Sequence, residues 1–291
     1  MMGWGLQIGQ IPVMVETEEL GMWEYGQHCS PNKGWPCYFQ PVSACDRLSV
    51  EYQGVDERVH SRADGIVEAA LKPLNEFEGR VQGMKTHGEL WWRAQLVNRI
   101  VRPNFKTLSM VRRIRNALGL TNPYISVHIR MGDSCTHKGR LAFQTKPSEV
   151  GCVGAAAYAQ AANKMSEIYG IKTVFLATDD SDAVAVMRSS GLEVKTLNLE
   201  RGKLFNSSWL IETRIATKSV NTTDISQSAI LDLLLLSQGD YFIGSFGGHM
   251  SRLAFEMMVG KHGFVVPYIS VDKPWCFRAQ KDYGTGFIDF C

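Results

Sequence analysis

From residue 124 onward the chain alternates short apolar runs with longer amphipathic ones, and few folds accept that order. "YISVHI" (124–129), "TVFLA" (173–177), "EVKTL" (193–197), "YFIGS" (241–245) and "FVVP" (264–267) read as five strands. Between them, helical spacing runs over 155–170, 181–191, 225–239 and 249–260. Tyr158, Ala162, Met165 and Tyr169 recur at steps of three and four. Ser181 reads as a helix cap and Gly191 as a stop. Strands that alternate with helices, joined by right-handed crossovers, give an open parallel sheet covered on both faces. This half of the chain is an α/β domain over residues 124–291.

Residues 1–123 carry weaker signals. "PVMVE" reads as a strand, and "CSPNKGWPCYFQPVSACD" as a long loop. "LWWRAQLVNRIVRP" and "FKTLSMVRRIRNALGL" read as helices, the first ended by Pro103. "TNPY" (121–124) is the expected hinge, and residues 198–224 are expected to form a surface loop. A net charge of +2, from 31 basic and 29 acidic residues, gives neither half the basic surface of a nucleic-acid binder. Arg112, Arg113 and Arg115 read as a solvated helix face. No window of 18 apolar residues exists, and the first residues lack the basic and apolar regions of a signal peptide.

Seven cysteines include no CxxC pair, which argues against a zinc site. Cys29, Cys37 and Cys45 are evenly spaced in a loop and suit disulfides. With the sequons at Asn206 and Asn221, this points to the secretory pathway.

In an open parallel sheet, ligands bind outside the carboxyl ends of the strands. Three chemically marked segments fall at such ends: His128-Ile129-Arg130-Met131-Gly132-Asp133, Thr178-Asp179-Asp180, and Ser245-Phe246-Gly247-Gly248-His249. The last is a glycine-rich turn into a helix. It is either a tight turn that needs glycine or a phosphate site at a helix start. Arg130 offers a cationic fork for a diphosphate, or a local salt bridge with Asp133 or Asp180. His128 either bonds a base or phosphate, or is a satisfied core histidine. Asp180-x-Asp182 fits a divalent ion or an acidic helix start, and the second reading is preferred because an arginine is at hand. Asp232, in the apolar "AILDLLLLSQ", either accepts from a guanine edge or bonds a buried backbone group. No nucleophile elbow, HExxH, Walker A or GxGxxG motif is present. The residues thus describe an enzyme for a nucleoside diphosphate compound, such as a nucleotide sugar, with no metal expected.

These segments resemble the α1,6-fucosyltransferases, which add core fucose to N-glycans. "WWRAQLVNRIVRP", "VHIRMGD", "VFLATDD" and "AILDLLLLSQGDYFIGSFGGHMSRLAFEMM" are similar to family motifs in order, and "WEYG" and "YFQPVSACDR" add to them. The resemblance implies a GT-B fold of two facing Rossmann-like domains. The first, 1–123, would lie on the acceptor side and be incomplete, because the chain begins after the family's glycine-rich donor loop. The second, 124–291, would hold GDP-fucose. By motif position, Arg130 would hold the β-phosphate, His128 and Asp232 would face the guanosine, and Tyr25 would line the base side. Gly248 and His249 would sit at the phosphate turn, with Ser245, Gly247 and Asp180 beside them.

The resemblance also implies inverting, metal-independent transfer to a glycan or glycoprotein in the Golgi lumen. Arg130, with Asp133 to orient it or to accept a proton, would carry the chemistry. The sequence departs from the family where Met131 replaces a second arginine, Ser134 replaces a lysine, and no acid stands near Lys138 to Arg140. Another nucleotide-sugar donor, or a non-catalytic nucleotide- or sugar-binding protein, are the alternatives.

Overall fold

A computed structural model of the chain describes residues 29, 34–42, 82–132, 135, 152–205, 211–275, 278–282 and 286–290. The expected strand "PVMVE", Tyr25, Cys45, Asp133, Lys138 to Arg140 and Asn206 lie outside them. So does most of the expected first domain, and the described residues hold one Rossmann-like sheet.

That sheet has five parallel strands: β1 (Ile125–Ile129), β2 (Thr173–Thr178), β3 (Glu193–Lys195), β4 (Tyr241–Gly244) and β5 (Tyr268–Ser270). Their order is β3-β2-β1-β4-β5. The chain moves outward from β1 to β3, then returns to place β4 on the other side of β1. That reversal opens a crevice between the tips of β1 and β4.

Every residue of β1 is buried, so both faces need apolar cover. Ile125, Val127 and Ile129 pack against α3 (Ala155–Tyr169) and α4 (Ser181–Arg188), through Tyr158, Ala162, Met165 and Met187. On the opposite face lie the leucines of α7 (Thr222–Leu236) and Phe255 of α8 (His249–His262). Two polar side chains of this face also reach α7. The Tyr124 hydroxyl donates to the Leu235 carbonyl at 2.6 Å, and that of Ser126 to the Leu236 carbonyl at 2.7 Å.

Among the described residues, α1 (Gln82–Ile100) and α2 (Phe105–Ala117) precede the sheet. Ala94 of α1 and Val111 of α2 are buried in the same core as α7 and α8. Glu256, 1% exposed on α8, pairs with Arg93 Nε of α1 at 2.8 Å and accepts from Trp275 Nε1 at 3.2 Å. The loop 34–42 docks beside them. Tyr38 bonds Ser226 of α7 at 2.7 Å, the Asn104 amide donates to the Pro36 and Cys37 carbonyls, and Cys29 pairs with Cys37. Arg112 and Arg113 are exposed as expected, whereas Arg115 turns inward to the Leu120 carbonyl and Gln238.

The last strand lies beyond its expected place. Gly263 closes α8 with φ 78°, and residues 264–267 then climb back to the sheet, leaving Phe264 and Val265 exposed. Pro267 offers only a carbonyl, which takes the Phe242 N–H at 3.0 Å. The stretch 198–224 holds two short helices, α5 (Arg201–Leu204) and α6 (Ile211–Ala216), where a loop was expected. Helix α7 starts three residues early because Asn221 caps it. A hairpin of β6 (Arg278–Asp282) and β7 (Gly286–Phe290) follows the sheet and has no counterpart in the sequence reading. No described helix is long and apolar enough to cross a membrane.

The contact of α1 with α8 depends on Gly260. A Cβ there would stand 2.5 Å from the Ala94 carbonyl oxygen and closer still to Asn98. Gly260→Ala is therefore expected to cost about 1–3 kcal/mol. The readout is a lower denaturant midpoint at unchanged slope; an unchanged midpoint would show that the two helices separate freely.

Candidate functional site

The three marked segments lie at the carboxyl ends of β1, β2 and β4, at one end of the sheet. Arg130 leaves the tip of β1 and its Nη1 donates to Asp179 Oδ2 at the tip of β2. Asp179 is thus a partner of Arg130 that the sequence reading did not name; Asp133 lies outside the described residues. The other oxygen, Oδ1, accepts the N–H groups of Met131 at 2.9 Å and Gly132 at 3.0 Å. One carboxylate thereby holds both the guanidinium and the turn behind it. Position 132 requires glycine, because a Cβ would stand 2.6 Å from Asp179 Oδ2. The Asp179 side chain is 7% exposed and that of Arg130 is 29%, so the guanidinium reaches from a buried anchor into the crevice.

Asp180 has a different task. It is the N-cap of α4, and its Oδ1 accepts the Ala183 N–H at 2.7 Å. Ser181, expected to cap, is the first helical residue instead. The carboxylate of Asp180 thus serves its own helix start, with Asp182 in the first turn.

Among the described helix starts, Asn104 caps α2, Asp180 caps α4 and Asn221 caps α7 through their side chains. The helices α3 and α8, which follow the two strands flanking the crevice, start at Gly154 and Gly248 with no side-chain cap bond. Each of these starts carries the partial positive charge of its helix.

The glycine-rich turn after β4 is held by a residue that sequence reading missed. Asp272, just past β5, accepts from the Ser245 hydroxyl, from Phe246 N–H at 2.8 Å and from Gly247 N–H at 2.9 Å. The Ser270 hydroxyl and the Lys273 N–H add to it. Burial works to raise its pKa, but these bonds outweigh burial and hold it below the usual carboxylate range. Gly248 N–H turns back to the Ser245 carbonyl at 3.0 Å. The amides of Gly247 and Gly248 are therefore engaged inside the protein, and the helix start at His249 is what the turn presents. Tyr158, 1% exposed, closes the floor and bonds Ser245.

His128 and Asp232 are the two remaining buried candidates. His128 is 5% exposed and its Nδ1 lies 2.6 Å from the Ser251 hydroxyl. Burial first, then the charge of Arg130, push its pKa down to about 3, so the ring is neutral. Asp232 is 8% exposed, and its Oδ1 has no hydrogen-bond partner. Burial pushes its pKa up to about 8, against the pull of Arg201. Arg201 itself is buried, and donates to the carbonyls of Thr178 and Leu197 and to the Thr196 hydroxyl. The loop-like composition of its segment gave no sign of that role.

The model of the family described as "Alpha-(1,6)-fucosyltransferase N- and catalytic domains" matches residues 20–266. The chain belongs to this fucosyltransferase family. The alpha-(1,6)-fucosyltransferase of Drosophila melanogaster is 24% identical over 183 residues, which make up 60% of this chain and 26% of that protein. The chain thus spans about a quarter of the length of that relative. Among solved structures, the fucosyltransferase NodZ from Bradyrhizobium superposes with TM-score 0.49 at 15% identity, over 94% of this chain and 89% of that one. POFUT1 in complex with GDP-fucose does so with TM-score 0.41 at 11% identity, over 61% and 48%.

In this member of the family a disulfide, Cys135–Cys152, joins the turn after β1 to the approach to α3, with Cα atoms 5.6 Å apart. Neither cysteine stood out by spacing. No group of three or more His, Cys, Asp or Glu side chains suited to a metal occurs among the described residues.

The two neighbouring aspartates should separate cleanly by mutation. Asp179→Ala leaves a guanidinium and two amides without their acceptor, at an expected cost of about 2–3 kcal/mol. Asp180→Ala removes only a cap, at about 1 kcal/mol. Chemical denaturation reads both, and equal costs would contradict the clamp at Asp179.

Proposed function

We propose that this chain carries the donor site of an α1,6-fucosyltransferase, which transfers fucose from GDP-fucose to a glycan or glycoprotein. The observation that carries this reading is the buried Asp232 Oδ1 without a hydrogen-bond partner, taken with the anchored Arg130 and with His128, on which the charge of Arg130 acts. Asp232 accepts from the guanine edge, and His128 meets the base beside it. The diphosphate lies against Arg130 and the uncapped starts of α3 and α8.

Transfer is an in-line displacement with inversion. The acceptor hydroxyl attacks the anomeric carbon, the bond to the β-phosphate oxygen breaks, and the electron pair leaves with GDP. Arg130 and the helix starts stabilise the charge that grows on the diphosphate, which removes the need for a metal. Asp133 orients Arg130 or takes the acceptor's proton. The described disulfides suit an oxidising compartment, and the Golgi lumen is the proposed location.

A second reading is nucleotide binding without turnover. Met131 stands where the family has a second arginine, and Asp272 already occupies the amides of the phosphate turn. Calorimetry with GDP, UDP and GDP-fucose, followed by turnover on a glycan panel, separates the readings. GDP binding is expected to survive EDTA. Arg130→Ala is expected to fold yet lose about 30- to 1000-fold in rate, equivalent to about 2–4 kcal/mol. Arg130→Lys restores only part, because an ammonium lacks the fork. Loss of binding in EDTA, or normal GDP affinity in Arg130→Ala, contradicts the proposal.

The raised pKa of Asp232 adds a pH signature. Below about 8 the free protein holds this carboxyl protonated, while an acceptor of guanine N–H groups must be ionised. GDP binding at pH 7 should therefore release a proton, and affinity should rise as pH approaches 8 and then level off. Calorimetry in buffers of different ionisation enthalpy measures the release. Asp232→Asn is expected to abolish most of it; an unchanged release would place the proton elsewhere.

A further inference from the structure

Ser251 lies in the first turn of α8 and is 1% exposed. Among the described residues its hydroxyl has one hydrogen-bond partner, Nδ1 of His128. A hydroxyl carries one proton and two acceptor lone pairs. If Nδ1–H were the donor, the hydroxyl proton would be buried without an acceptor, which costs more than an unfilled lone pair. The hydroxyl therefore donates to Nδ1. Because the ring is neutral, its single proton then sits on Nε2. Nε2 has no partner among the described residues.

The place of this N–H relative to Asp232 follows from the packing of α7 on β1. Ser126 bonds the carbonyl of Leu236. From there, His128 is two residues along the strand, about 6.6 Å towards its tip. Asp232 is one turn back along the helix, about 6 Å in the same direction, because the chain leaves α7 at the foot of the sheet to start β4. His128 and Asp232 thus stand at about the same level along the strand direction.

We propose that Ser251 is a positioning residue that fixes His128 as the Nε2–H tautomer and thereby selects a 6-oxopurine nucleotide over a 6-aminopurine one. The selectivity rests on the reading that His128 and Asp232 face the base of the donor. Guanine presents O6 and N7 as acceptors and N1–H and N2–H as donors, which complement Nε2–H and the Asp232 carboxylate. Adenine presents an N6 amino donor to the Nε2–H donor. Without the serine hydroxyl, Nδ1 is released to carry the proton, and the ring can turn an acceptor towards the base.

The test compares the whole chain with Ser251→Ala and Ser251→Thr. The 15N spectrum of histidine-labelled, ligand-free protein reads the tautomer. The wild type is expected to show His128 protonated at Nε2 alone, Ser251→Thr to keep that state, and Ser251→Ala to show protonation at Nδ1. Calorimetry then compares GDP, IDP and ADP. The wild type is expected to bind GDP and IDP and to reject ADP. Ser251→Ala is expected to lose about 10-fold in GDP affinity, the scale of one hydrogen bond, and to discriminate less against ADP. A wild-type spectrum with the proton on Nδ1 overturns the proposal without any variant. So does Ser251→Ala with an unchanged tautomer and an unchanged GDP to ADP ratio. Failure of the wild type to bind GDP overturns the donor-site reading and the selectivity with it, while the spectrum still judges the tautomer.

Discussion

The carboxylate of Asp179 holds the site together. It ties the tips of β1 and β2 by taking the Arg130 guanidinium on one oxygen and two amides of the following turn on the other. A buried carboxylate is tolerated only when so fully bonded. The same bonds prevent Arg130 from folding away into solvent. An arginine meant to meet a growing negative charge must be fixed before the charge appears, and this clamp supplies that order.

Asp272 does for β4 what Asp179 does for β1. It gathers the Ser245 hydroxyl and the next two amides and joins them to the end of β5. The crevice is thus flanked by two turns, each stiffened by a carboxylate from the strand outside it. The same amides cannot also serve a phosphate, so the positive field there comes from the helix starts at Gly154 and Gly248. Tyr158 packs between these turns, near both carboxylates.

The sheet was legible because period-two apolar runs and helical runs leave little else for residues 124–270 to form. The crevice was legible too, since His128, Arg130, Asp180 and Ser245 stand where apolar patterning stops. The pairings were not. Asp179 and Asp180 are adjacent, and only the turn out of β2 decides that one faces Arg130 and the other caps α4. Asp272 follows a three-residue strand whose apolar run had been placed four residues early, so its nearness to Ser245 was hidden. Ser251 and Arg201 act across long sequence gaps, which local spacing does not register. Asp232 was the exception: one carboxylate among leucines signals a special environment, and the structure leaves one of its oxygens without a partner.

The central claim is that a guanine nucleotide lies in the crevice between β1 and β4. A crystal structure of the chain grown with GDP tests it most directly. The account predicts the guanine edge within hydrogen-bond distance of His128 Nε2 and Asp232, with the diphosphate against Arg130 and the start of α8. GDP bound at the opposite end of the sheet, or with its base away from Asp232, would contradict it.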